Sequence, residues 1–209
     1  MRSVMSRWWS WLLLALLLAQ VGCGGPPELV PLAPDARILA FGDSLTFGTG
    51  APPEQSYPVV LSALIGREVI NAGVPGELSA DGLARLPELL DEEQPNLLIL
   101  CHGGNDILRG QDLGATQRNI ESMIALARER DIPVVLMGVP ARRLFVGTAE
   151  FYAEVAEAAK VPFEGEIIAA ILSDAKLKSD PVHPNAAGYR RIAEAMHRLL
   201  AKTGAVAAP

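Results

Sequence analysis

Four short stretches hold residue types that together could activate a hydroxyl. Ser44 ends Gly42-Asp43-Ser44, Gly76 ends Gly73-Val74-Pro75-Gly76, and Asn105 lies in Gly103-Gly104-Asn105-Asp106. Asp180 and His183 stand three apart in Asp180-Pro181-Val182-His183. A serine hydroxyl is a poor nucleophile at neutral pH and needs a neutral imidazole to accept its proton. The imidazole needs a carboxylate on its other nitrogen, to fix the tautomer and stabilise the cation that forms. The oxyanion needs preorganised donors, either backbone N–H groups or an Asn amide. Ser44, His183, Asp180, Gly76 and Asn105 offer a candidate for each role. Each also has a plainer reading when taken alone: a helix-entry turn for Asp180–His183, an Asx-turn for Asn105 and an ordinary Pro-Gly turn for Gly76.

Other chemistries fit less well. Gly48-Thr49-Gly50 is followed by Ala-Pro-Pro, and no Gly-Lys-Ser/Thr occurs there, so neither the P-loop nor the dinucleotide fingerprint is met. Gly42 and Thr46 do not bracket Ser44 as G-x-S-x-G, which excludes the α/β-hydrolase elbow. No His/Cys/Asp cluster has metal-ligand spacing. Of the three histidines, His102 lies between a strand end and two glycines and reads as local structure. His197, at the edge of an apolar stripe, reads as a surface residue. Asp43 and Asp106 read as loop-holding carboxylates, and Cys101 as a packed core residue.

These stretches need elements to position them. From residue 37 onward, apolar runs alternate with helical patterns. Strands are predicted at Arg37–Phe41, Glu68–Asn71, Asn96–Cys101 and Val134–Val139, with a weaker one at Val161–Glu164. Tyr57, Val60, Leu61 and Leu64 mark one amphipathic helix, with Pro58 in its first turn and Gly66 at its end. Ile120, Met123, Ile124 and Ala127 mark a second. Tyr189, Ile192, Met196 and Leu199 mark the last, with Asn185 as its N-cap. Strands separated by helices imply βαβ units and a parallel sheet covered on both faces. In such sheets ligands bind at the carboxyl ends of the strands, and three of the four stretches directly follow predicted strands.

The chain of 209 residues, half of them hydrophobic, suits one globular domain. With 24 acidic against 18 basic residues, no nucleic-acid-binding surface is expected. Two cysteines do not make a disulfide scaffold. Residues 1–22 combine basic Arg2 and Arg7 with an apolar stretch from Trp8 to Ala19, which suits an export signal. Val21-Gly22-Cys23 resembles a bacterial lipobox, which would make Cys23 the lipidated mature N-terminus; Gln20 departs from the aliphatic residue usual three before the cysteine. Removing residues 1–22 would shift the formal charge from −6 to −8, because Arg2 and Arg7 leave with no acid. Residues 23–36, rich in proline, suit a tether. The domain is expected over 37–203, with 204–209 a flexible tail.

The four stretches, in this order, resemble the motifs of the GDSL-like lipases, or SGNH hydrolases, nearest the bacterial thioesterase, lysophospholipase and arylesterase group. The resemblance implies Ser44 as nucleophile, His183 as base and Asp180 as its partner. It implies an oxyanion hole from Ser44, Gly76 and Asn105. It also implies a three-layer αβα fold with a flavodoxin-like five-stranded parallel sheet, a covalent acyl-enzyme and no cofactor. Residues 107–115 and the segment around Arg142–Thr148 correspond to walls of the acyl pocket in that group. The function expected is an exported esterase of the bacterial cell envelope acting on small or single-chain acyl esters, attached to the membrane through an N-terminal lipid. The alternatives for residues 1–22 are a plain secretory signal, which would leave a periplasmic enzyme, and an uncleaved anchor. Two alternatives are a carbohydrate O-deacetylase of the same fold and a lipoprotein binding module that no longer hydrolyses.

Overall fold

The computed structural model describes residues 27–141 and 147–208. The expected signal segment, Cys23 and most of the expected wall around Arg142–Thr148 lie outside the described residues.

The chain begins its sheet with β1 (Arg37–Gly42), which leads directly into the short helix α1 (Ser44–Phe47). Next come α2 (Tyr57–Ile65), β2 (Glu68–Gly73) and α3 (Ser79–Glu93). The middle of the fold holds β3 (Leu97–Cys101), α4 (Gly104–Arg109), α5 (Leu113–Arg128) and β4 (Val134–Met137). The last elements are α6 (Phe151–Ala159), β5 (Phe163–Glu164), α7 (Ile167–Ser173) and α8 (Ala186–Lys202). The strands form one sheet in the order β2-β1-β3-β4-β5, and every pairing is parallel. This is the expected three-layer α/β architecture, with all five predicted strands in place.

The pattern of burial explains the sheet. Residues 38–42 of β1 and all of β3 and β4 are buried, as expected of central strands covered on both faces. On β2, at one edge, only Val69 is buried. Gly42 pairs with Gly73 on one side and with Cys101 on the other, so the first three strands end level with one another. The chain goes from β1 outward to β2, then crosses back to β3 on the other side of β1. That reversal opens a crevice at the carboxyl ends of β1 and β3, and both Ser44 and Asn105 follow those ends.

Local sequence sets the element boundaries. Pro58 sits in the first turn of α2, and Gly66 ends it in the left-handed conformation at φ +64°. Asn185 caps α8 as expected, its side chain accepting from Gly188 N–H at 3.1 Å. Leu29 and Leu32, within the expected tether, pack on the core and donate backbone hydrogen bonds to the carbonyls of Thr203 and Ala205. Ala205 and Val206, within the expected tail, are buried.

His197 corrects the sequence reading. It is only 8% exposed, and its Nε2 lies 3.2 Å from the carbonyl of Ala207. The residues after α8 fold back over the helix and cover a position that helical periodicity alone places at the surface.

Candidate active site

Asp43 joins β1 to α1 and caps the helix, its carboxylate accepting from Leu45 N–H at 3.0 Å. This cap places Ser44 at the first helical position, above the end of the sheet. Gly42 has a steric reason to be glycine. A Cβ there would lie 2.1 Å from the Cys101 carbonyl oxygen and 2.4 Å from the Thr46 hydroxyl. The neighbouring strand and the first turn of α1 leave room only for hydrogen.

The chain returns to this point 139 residues later. His183 Nε2 lies 3.0 Å from Ser44 Oγ, and its Nδ1 lies 2.7 Å from Asp180 Oδ2. The other carboxylate oxygen of Asp180 accepts from the N–H groups of Val182 (2.8 Å) and His183 (2.9 Å). One residue thus shapes the turn and orients the ring. Burial acts to raise the Asp180 carboxyl, but the His183 ring and the two backbone donors outweigh it and hold it below the ordinary range. The bound carboxylate favours the tautomer with a proton on Nδ1, which leaves Nε2 to accept from Ser44. This arrangement is able to pass a proton from a serine hydroxyl to an imidazole.

Asn105 sits in the first turn of α4. Gly103 precedes that helix in the left-handed conformation at φ +101°, and a Cβ there would come within 2.7 Å of the Tyr152 hydroxyl. The Asn105 amide nitrogen donates to the Glu77 carbonyl at 3.1 Å and to Asp43 Oδ2 at 3.3 Å. Burial pushes the Asp43 carboxyl above its usual range, while His102 and neighbouring backbone donors pull the other way. Gly76, at φ +80°, lines the same cavity as Ser44 and Asn105. Among the described residues, neither Ser44 N–H nor Gly76 N–H donates a hydrogen bond.

All five candidate residues except Asp180 line one cavity of about 690 Å³. Leu45, Ile107, Leu108, Val139 and Leu172 give it apolar walls, and among the described residues Lys178 adds a cationic group to the lining. The expected wall at 107–115 therefore contributes through Ile107 and Leu108. Val139, Pro140 and Ala141 line the cavity just before the second expected wall.

Sequence reasoning missed the supports of the loop that carries Gly76. Glu77 accepts two hydrogen bonds from Arg85, at 2.8 and 2.7 Å, and lies 3.0 Å from His102 Nε2. His102 Nδ1 accepts from Gly103 N–H at 2.9 Å, so Nε2 carries the proton and donates to Glu77. Burial acts against the Glu77 charge, yet His102 and Arg85 lower its pKa to about 2. Asp106 ties down the same loop by accepting from Ser79 N–H (2.8 Å) and Ser79 Oγ (2.6 Å). His102 and Asp106 thus hold local structure, as expected. The Glu77–Arg85 pair spans eight residues across a loop and a helix, and no spacing rule marks it.

Comparison with known proteins settles the class. A model described as the GDSL-like Lipase/Acylhydrolase family matches residues 40–191. The chain belongs to this family. It is a serine ester hydrolase with the SGNH-hydrolase fold. It is 34% identical over 193 residues to "Esterase TesA" of Pseudomonas aeruginosa, covering 86% of this chain and 94% of that protein. It is 30% identical over 174 residues to "Thioesterase 1/protease 1/lysophospholipase L1" of Escherichia coli, covering 78% and 82% respectively. Among solved structures, AlinE4, an SGNH-hydrolase family esterase, superposes with a TM-score of 0.63 at 33% identity, over 80% of this chain and 96% of that one.

Proposed function

We propose that this protein is an exported serine esterase that cleaves small or single-chain acyl esters through an acyl-enzyme. The observation that carries the reading is the continuous Asp180–His183–Ser44 chain, with links of 2.7 and 3.0 Å, opening into an apolar cavity. Ser44 attacks the acyl carbonyl as His183 Nε2 takes its proton. The tetrahedral oxyanion is held by the N–H groups of Ser44 and Gly76 and by the Asn105 amide, whose long contact with Asp43 is the one it gives up. His183 then protonates the leaving alcohol, and the Asp180 carboxylate stabilises the intervening imidazolium. Water, activated by the same imidazole, releases the acid.

The apolar walls favour an acyl chain over a sugar, which ranks the esterase reading above O-deacetylation of carbohydrates. The relatives' names (esterase, thioesterase, lysophospholipase) support the same substrate range. The basic start and apolar stretch within residues 1–22 support export, and Cys23 is the proposed lipid attachment point. The direct test is Ser44→Ala assayed with p-nitrophenyl esters. Turnover is expected to vanish while circular dichroism and Tm stay near the wild-type values. Retained turnover would reject Ser44 as nucleophile.

A further inference from the structure

The ends of the described chain and the catalytic cavity lie at opposite poles of the domain. Helix α8 connects them. Its N-cap, Asn185, follows His183 by two residues, and its last residue, Lys202, precedes Thr203. Seventeen residues of helix span about 25 Å. At the far end, the segment leading into β1 is fastened down. Leu29 N–H donates to the Thr203 carbonyl at 2.8 Å and Leu32 N–H to the Ala205 carbonyl at 2.9 Å. Arg67 forks onto the carbonyls of Leu32 (2.8 Å) and Ala33 (3.1 Å), and both leucine side chains pack on the core. The strand directions agree: β1 starts at Arg37, beside this fastening, and ends at Gly42, beside Ser44.

Chain length then limits the domain's freedom. Five residues lie between Cys23 and Leu29, and the six steps from one to the other, fully extended, reach only ~20 Å. That is shorter than the helix between the fastening and the catalytic turn. A domain held by Cys23 is able to tilt but not to turn over.

We infer that docking of residues 29–33 holds the cavity mouth facing away from the membrane that carries the anchor. The inference rests on the reading of an exported hydrolase lipidated at Cys23. It assigns a substrate source: acyl esters dissolved in the aqueous phase or presented by an opposing surface, rather than esters embedded in the enzyme's own bilayer. The mouth suits such amphiphiles. Leu108 on the cavity wall and Val74, two residues before Gly76, are exposed apolar side chains.

The test uses the full chain, reconstituted in phospholipid vesicles. Two probes are compared: soluble p-nitrophenyl butyrate, and a fluorogenic butyrate ester fixed by a short link to a double-chain phospholipid in the same vesicle. Wild type is expected to cleave the soluble ester as fast as a membrane-free Cys23→Ser protein, but to leave the membrane-fixed ester nearly untouched. An insertion of about 20 Gly/Ser residues between Pro26 and Pro27 adds roughly 25 Å of reach. It is expected to raise cleavage of the fixed ester at least about tenfold and leave soluble turnover unchanged. A second variant, Leu29→Asp with Leu32→Asp, undocks the segment and is expected to act in the same direction. Equal cleavage of the fixed ester by wild type and the insertion variant would overturn the inference alone. Absence of lipid on Cys23, read by mass spectrometry, would overturn it through the anchor. Absence of turnover on the soluble ester would instead remove the hydrolase reading, and the inference with it.

Discussion

At the scale of single residues, the site divides the work between reacting groups and those that hold them. Asn105→Ala removes the amide proposed to meet the oxyanion, while α4 loses no apolar packing. Turnover of a p-nitrophenyl ester is expected to fall by about 10²–10³ with little change in KM. A loss smaller than about tenfold would remove Asn105 from the oxyanion hole. Glu77 acts at one remove, through the loop that carries Gly76 and the carbonyl that holds Asn105. Its ionisation is linked to folding, because its pKa lies near 2 in the folded chain against an ordinary 4.5. A depressed carboxylate stabilises the fold above its unfolded value, and this stability is lost as pH falls through the folded value. Glu77→Gln is therefore expected to lower Tm at neutral pH. The gap between variant and wild type should close as pH drops from about 4.5 toward about 2. A gap independent of pH would show that the charge of Glu77 contributes nothing. The five proposed site residues were legible because their types and order are distinctive. Glu77 and Arg85 were not, because a pair joined only by tertiary packing leaves no period or spacing in the sequence.

Elements were legible in proportion to how far local pattern determines them. The buried strands β1, β3 and β4 are unbroken apolar runs, and sequence alone places them. Predicted β4 runs two residues too long. Gly138 N–H still donates to the Glu164 carbonyl at 2.9 Å, but a Cβ there would come within 2.4 Å of the Thr148 side chain, and from Val139 onward the chain lines the cavity instead. Helix α3 is hidden from a reading by pattern because it carries both Gly82 and Pro87, residues that weaken a helical reading. Tertiary packing explains Gly82: a Cβ at this position would stand 2.4 Å from His102 Nε2. The glycine thus allows α3 to lie against the ring that supports Glu77. Gly82→Ala gains helix propensity yet forces His102 or α3 to move. Overpacking of this kind costs about 1–3 kcal/mol, so Tm is expected to fall by several degrees, with turnover reduced through the displaced Glu77 loop. An unchanged or raised Tm would show that the ring yields freely and that the contact is not a constraint.

Over the whole molecule, the two ends of the described chain are joined. Composition suggested a proline-rich tether before Arg37 and a loose tail after Thr203, since neither stretch shows a period. Their pairing is a contact between residues more than 170 positions apart, and composition is blind to it. The proline-rich segment lies along the tail, where fixed φ angles reduce the entropy lost on docking. Leu29 and Leu32 cover part of the core near Ala205 and Val206, and the carbonyls of Leu32 and Ala33 satisfy Arg67. If this segment belongs to the folded unit, a chain starting at Asp35 should be less stable than one starting at Pro27. Two half-buried leucines and four hydrogen bonds, less the entropy of ordering the segment, leave a few kcal/mol. For a domain of this size the expected loss in Tm is about 5–10 °C. Because α8 separates this pole from His183, kcat/KM on a soluble ester should stay within about twofold of the longer chain. Equal Tm for the two chains would mean that the segment rests on the domain without stabilising it. Reduced kcat/KM at preserved Tm would mean that the two poles communicate through α8.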